Sequence, residues 1–210
     1  VFKNRIEAGE RLAAHLARDY KGQDIVVVGL LRGGVVTGRV VADRLGAPLE
    51  ALVVRKISHP SSPEHACGAI AEGGWTVMSQ TKGDLVQTRW LDEEKRRQLD
   101  LIALTVERIK GIAQHTDIKE KTAILVDDGL ATGFTTEAAI AALRAREPRA
   151  IVVAAPVGLI SVVHRLKKLV DDVVVSCEPA DMFAVSQFYE DFQQVTDDEV
   201  DALLGGFANA

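Results

Sequence analysis

A chain of 210 residues can bury one substantial core, or a core with a small appendage, and its 30 acidic against 25 basic side chains leave a net charge of −5. That balance, with no basic tract, argues against a nucleic-acid-binding surface, and two cysteines without paired spacing, Cys67 and Cys177, argue for a reducing compartment. The apolar runs are too short to span a bilayer and the first residues lack a signal-like apolar segment, so a soluble cytoplasmic protein is expected.

In chain order, Arg5–Tyr20 carries Ile6, Leu12, Ala13 and Leu16 at helical spacing and reads as a packing helix that Gly22 ends. His15 within it reads as exposed or capped rather than as a ligand. Asp24–Leu30 is a buried strand that runs through Leu31-Arg32-Gly33-Gly34 into the helical stretch Val35–Leu45. Leu52–Ile57 reads as one strand bearing Arg55 and Lys56 near its end. Ser58–Gly74, with its Ser, Pro and Gly, reads as a turn-rich, mobile connection, and Ala69–Ser79 as an edge hairpin. Leu91–Ile112 is a long amphipathic helix with Leu99, Ile102, Val106 and Ile109 on its apolar side. Lys121–Val126, Ile151–Pro156 and Asp172–Ser176 read as strands, and Glu137–Arg144 and Leu159–Leu169 as helices. This alternation predicts an α/β fold with a doubly wound, mainly parallel sheet covered on both faces, in a single domain over 1–210.

The densest chemistry lies in Ala123–Thr136. An apolar strand delivers the adjacent carboxylates Asp127 and Asp128 to its carboxyl end, where open α/β sheets present ligands. Gly129, Ala131, Thr132, Gly133, Phe134, Thr135 and Thr136 then lead into a helix. The glycines allow close backbone approach, the threonines add hydroxyl donors, and a helix start offers unpaired N–H groups to a phosphate. The carboxylates ahead of that cradle suit sugar hydroxyls or a hydrated Mg²⁺. A generic strand-Asp-Gly turn accounts poorly for two acids, three threonines and two glycines within ten positions. The Arg32-Gly33-Gly34 turn offers backbone N–H groups and a guanidinium to a second anion.

The run AILVDDGLATGFTT resembles the signature of the type I phosphoribosyltransferases, which use phosphoribosyl pyrophosphate (PRPP) as donor. In that family such a loop holds the ribose hydroxyls and the 5′-phosphate. The resemblance implies that Asp127, Asp128, Arg32 and Lys56 form the catalytic set and that Asp127 and Asp128 reach Mg²⁺, through water where needed. It implies pyrophosphate binding by Leu31, Arg32, Gly33, Gly34, Arg55 and Lys56, and a non-prolyl cis peptide between Leu31 and Arg32. It also implies a flexible loop after the Arg55-Lys56 strand, which closes over the reacting centre; no role follows for His59, His65 or Glu72.

A small hood, built from 177–210 with the N-terminal segment, is expected to hold a nucleobase-like acceptor through Phe183, Val185 and Tyr189, with Phe188 and Phe192 nearby. A segment whose aromatics merely cap the core fits the same residues. RIEAGERLA, DDGLATG and EPADMFAVSQFYEDF are similar to a poorly characterised bacterial branch of the family, over nearly the whole chain. Ala131 stands where 6-oxopurine enzymes carry an acidic residue, which disfavours hypoxanthine and guanine; the acceptor is otherwise open. Expected partners are PRPP, pyrophosphate and the acceptor, with no nucleic acid or membrane, and a homodimer by resemblance. A PRPP- or nucleotide-sensing regulator on the same fold is the alternative. A P-loop enzyme or dehydrogenase is disfavoured by the lack of either glycine fingerprint.

Overall fold

The computed structural model describes residues 1–81, 86–112 and 116–206. Five strands, β1 (Ile25–Leu30), β2 (Leu49–Leu52), β6 (Thr122–Val126), β7 (Ala150–Val157) and β8 (Asp172–Cys177), form a parallel sheet in the order β2-β1-β6-β7-β8. β1 and β6 are buried along their whole length, as expected of strands covered on both faces. Their alternate residues part into two cores. Val27, Ile124 and Val126 pack with α1 (Arg5–Tyr20), α2 (Gly33–Leu45) and α6 (Asp197–Gly205), whereas Val26, Val28 and Leu125 pack with α4 (Phe134–Arg144) and α5 (Ile160–Leu166). The doubly wound parallel arrangement is therefore present. The chain reverses direction of winding between β1 and β6, which places their carboxyl ends at a topological switch point.

Two expectations need correction. Leu52–Ile57 is not one strand: Leu52 closes β2 of the parallel sheet, and β3 (Val54–His59) belongs to a second, antiparallel sheet with β4 (Ser62–Ala71) and β5 (Thr76–Met78). The break falls at Val53, whose N–H donates to Glu72 Oε2 (3.3 Å) and whose carbonyl accepts from Glu72 N (3.0 Å). Ser58–Gly74 is likewise mostly strand rather than loop. Its turn residues cluster around the β3–β4 turn, while Cys67, Ala69, Ile70 and Ala71 are buried, and composition averaged over both conceals this. The antiparallel sheet packs on α4 and on α3 (Thr88–Lys110), a helix that starts earlier than its apolar periodicity suggested.

Local signals set the helix ends. Asn4 caps α1 by accepting from Ile6 N and Glu7 N, and Thr196 caps α6 in a reciprocal box with Glu199. Between β2 and the chain after α4, buried Glu50 receives Arg146 through paired bonds of 2.7 and 3.0 Å, and Arg146 also donates to Thr116 O (3.0 Å). Among the described residues, no helix is long and apolar enough to cross a membrane.

Candidate functional site

Parallel pairing in register, Gly29 with Val126, brings the turn after β1 beside the residues that follow β6. Asp127 leaves the strand with its N–H on Ala154 O (3.2 Å), and its Oδ1 accepts from Asp128 N (2.9 Å). The loop is then pinned by Leu130, which is buried, donates to Val157 O and accepts from Leu159 N (both 2.9 Å). Anchoring the middle of the loop fixes both halves: Asp127 and Asp128 on one side, Thr132–Thr136 on the other. Gly133 adopts φ +81°, a left-handed conformation that favours glycine, and acts as N-cap of α4 without any side-chain cap. Glu137 N is the first amide to bond within the helix (2.9 Å, to Gly133 O), so the amides of Phe134, Thr135 and Thr136 sit at the open, positive end of α4. The Thr136 hydroxyl is buried without a partner among the described residues. Arg165 of α5 braces the loop from outside, donating to Thr132 O and to Glu137 Oε1 (2.7 Å).

The second turn meets the first. Leu31–Arg32 is a cis peptide, and Arg32 precedes α2 as its N-cap. A β-carbon at Gly34 would lie 2.4 Å from Val126 O and 3.0 Å from Asp127 Cα; one at Gly33 would lie 1.9 Å from Asp128 Oδ2. Only glycines allow this contact between the Arg32–Gly34 turn and the acidic pair. The Arg32 guanidinium lies 3.7 Å from Asp197 Oδ1 in the first turn of α6.

The acidic pair is held by both termini of the domain. Asp128 Oδ2 accepts from Arg5 Nε (2.8 Å), and Asp128 O accepts from the Tyr189 hydroxyl (2.7 Å). Asp127 is pushed well above the ordinary carboxylate range, first by burial and then by the Asp128 charge. Its bond from Asp128 N and the charges of Lys56 and Arg5 only partly oppose this. Lys56 therefore lies within electrostatic reach of Asp127. Arg55 does not share its position: neighbouring strand residues point to opposite faces, and Arg55 Nε donates to Gln98 Oε1 of α3 (2.6 Å).

The hood candidates separate in the same way. Val185, in a short 3₁₀ turn (Val185–Phe188), lies over Gly129, with its Cγ1 2.5 Å from where a β-carbon there would be. Tyr189 is buried between Phe2 and Phe192 (ring centroids 5.5 and 4.8 Å, rings tilted by 40° and 38°), so its ring is already packed on both sides and its hydroxyl already engaged. Phe183 stands 94% exposed. The N-terminal segment joins the hood through Phe2 N to Phe188 O (2.8 Å) and a bridge to Tyr189; the last four residues of the expected hood, 207–210, lie outside the described residues. Sequence reasoning passed over Arg5 and Arg165. A signal existed for Arg5: it is a cation at the first position of a helix, where the dipole disfavours one.

The model of the phosphoribosyl transferase domain matches residues 2–193. The chain belongs to this family. Among curated relatives, the phosphoribosyl transferase domain described above is 40% identical over 206 residues to Rv0571c of Mycobacterium tuberculosis, itself provisionally named a phosphoribosyl transferase. That match takes in 97% of this chain but 46% of the relative, so the chain spans about half the length of the curated relatives it matches. Among solved structures, TT1426 of Thermus thermophilus is 40% identical, with 98% of each chain covered and a TM-score of 0.81. AQ2163 of Aquifex aeolicus, 12% identical at a TM-score of 0.51 over 83% of this phosphoribosyl transferase domain and 74% of that chain, shares the fold alone.

Proposed function

We propose that this domain transfers the ribose 5-phosphate unit of PRPP to a nitrogen acceptor and releases pyrophosphate. The observation that carries the reading is the convergence of three features at the β1–β6 switch point: the Asp127-Asp128 pair, the open start of α4, and the Arg32–Gly34 turn against Asp127 and Asp128. Two anion cradles separated by two carboxylates match a ligand with a phosphate at one end, hydroxyls in the middle and a pyrophosphate at the other. The amides of Phe134–Thr136 and the hydroxyls of Thr132, Thr135 and Thr136 would hold the 5′-phosphate, and the buried, unpartnered Thr136 hydroxyl favours a ligand there. Asp127 and Asp128 would hold the ribose hydroxyls. Arg32, Gly33, Gly34 and Lys56 would hold the pyrophosphate.

In the reaction, the C1–oxygen bond to pyrophosphate breaks as a nitrogen–C1 bond forms, and the acceptor nitrogen gives up its proton to water or to the departing pyrophosphate. Charge builds on the departing oxygens, so fixed N–H groups and cations beside them stabilise the transition state. Mg²⁺ fits the donor set, because that ion is commonly bound by one or two carboxylates together with substrate phosphates. Among the described residues no cluster of three metal-binding side chains exists, which suits an ion carried largely by its substrate, with Asp127 and Asp128 as the protein's share. Bound there, the ion would neutralise pyrophosphate charge. Val185, Tyr189 and the protruding Phe183 form the acceptor side, Tyr189 by shaping it rather than by stacking.

The test is Mg²⁺-dependent pyrophosphate release from PRPP against a panel of nucleobases and small amines. Release with one acceptor supports transfer and names that acceptor. Saturable PRPP binding without release under any acceptor points instead to a sensing role, and absence of both refutes the reading.

A further inference from the structure

Arg5 lies where the acidic pair meets the Arg32–Gly34 turn. Its Nε is 2.8 Å from Asp128 Oδ2, and the point a Gly33 β-carbon would occupy is 1.9 Å from that oxygen and 3.0 Å from Arg5 Nε. The guanidinium is fixed on its other sides: Nη1 donates to Gln193 O (2.8 Å), and its carbon lies 3.8 Å above the centre of the Phe192 ring. Arg5 and Asp128 side chains are 12% and 15% exposed, so the pair is largely withdrawn from water. A cation at the first position of α1 opposes the helix dipole, and its one salt bridge among the described residues is with Asp128.

We infer that Arg5 is a positioning residue for Asp128: it holds one carboxylate oxygen so that the other, Oδ1, is presented to the ribose hydroxyls of the donor. This rests on the functional reading above. The chemistry favours one rotamer. A carboxylate next to a second acidic group, free to rotate about two bonds, would spend much of its time turned toward whichever cation is near. A charge-assisted bond from a guanidinium braced by Phe192 and Gln193 removes that freedom before ligand arrives, so less order must be imposed on binding. Among the described residues no hydrogen bond reaches Asp128 Oδ1, which leaves it directed to a ligand. Tyr189 fixes the same residue through its carbonyl, so N-terminal and hood segments together set both ends of Asp128. Arg5 thereby ties hood formation to donor binding.

The experiment is calorimetric titration of wild type, Arg5→Ala, Arg5→Lys and Arg11→Ala with three probes: PRPP with Mg²⁺, ribose 5-phosphate, and pyrophosphate with Mg²⁺. Loss of a charge-assisted contact predicts that Arg5→Ala weakens PRPP and ribose 5-phosphate by about 10- to 100-fold while pyrophosphate changes less than about twofold. Arg5→Lys, which keeps the charge, recovers part of the loss, added methylguanidinium restores Arg5→Ala toward wild type, and Arg11→Ala binds as wild type. Unchanged ribose 5-phosphate binding in Arg5→Ala overturns the inference, and so does an equal fall with all three probes, which would mean the whole site had collapsed. A fall with pyrophosphate alone also overturns it, by placing Arg5 on the leaving group. If Arg5→Ala does not fold, Arg5→Lys with the same three probes decides by the same pattern. Wild type that binds neither PRPP nor ribose 5-phosphate defeats the functional reading itself, whereas binding that is insensitive to Arg5 defeats only this inference.

Discussion

Gly34→Ala tests the contact between the two turns of the candidate site. The added methyl would sit 2.4 Å from Val126 O and 3.0 Å from Asp127 Cα, against an optimal separation of about 3.5 Å. Both opposing atoms are backbone, one of them in a strand paired on both sides, so neither can turn away. Overpacking of this kind costs about 1–3 kcal/mol, partly offset by up to about 1 kcal/mol from replacing glycine in a helix. Gly38→Ala in the same helix is the matched control. Its methyl would meet the flexible tip of Leu49 at 3.3 Å and the Gly29 Cα at 3.5 Å, with the same propensity gain. For a domain of this size about 1 kcal/mol moves Tm by about 2–4 °C. The propensity gain cancels between the two variants, so Gly34→Ala should melt about 2–12 °C below Gly38→Ala by calorimetry and bind PRPP more weakly. Equal melting temperatures would show that the turn does not press on the end of β6, and the convergence argued for the site would fail.

Other outcomes follow from particular contacts. Arg146→Met removes paired bonds from buried Glu50 and should cost about 3 kcal/mol in urea unfolding; adding Glu50→Gln should recover much of it. Asp127 has a raised folded-state pKa, so the folded protein keeps a proton that the unfolded chain gives up near pH 4, and stability falls as pH rises toward the folded value. Asp127→Asn keeps an oxygen for Asp128 N and should be stabilised relative to wild type at pH 8, the gain vanishing near pH 4; a gain independent of pH would refute the assignment. Arg165→Ala should weaken ribose 5-phosphate binding several-fold by releasing Thr132 O and Glu137, while its half-exposed position keeps the loss of stability to about 1 kcal/mol. Asp128→Asn should impair PRPP use while the fold persists, as read by circular dichroism alongside turnover.

Four strands of the parallel core, β1, β6, β7 and β8, were legible because they are short apolar runs rich in Val and Ile between helical periods; β2, four residues long with Glu50 inside it, gave no such signal. The acidic pair and the threonine loop were legible for a related reason: strand, turn and helix start are contiguous in sequence. What escaped was carried by contacts without a local signal. The break at Val53 is invisible in LVVRKI, because the same β-forming residues serve both sheets, and Glu72, nineteen positions on, satisfies the backbone there. Arg55 and Lys56 look like one basic site until strand alternation sends them apart. Tyr189 read as a surface for stacking, yet its ring is enclosed by Phe2 and Phe192. Arg5 lay in a helix read from its apolar spacing, which placed Leu12, Ala13 and Leu16 correctly but also Ile6, which is exposed, and gave no reason to look at the first charge.

The clamp on Asp128 also has a meaning in time. Arg5 and Asp128 are 123 positions apart, and Arg5 and Gln193 are 188 apart. A chain leaving the ribosome can finish β8 and close its parallel sheet while Tyr189, Phe192 and Gln193 are still inside the exit tunnel, since contacts of long separation form last. Until those residues emerge, Asp128 lacks its bond from Tyr189, and Arg5 lacks the Gln193 and Phe192 contacts that fix it. The order of synthesis thus completes the hold on Asp128 only after the parallel strands have been made, and a product truncated before Tyr189 would carry those strands with that carboxylate only partly fixed.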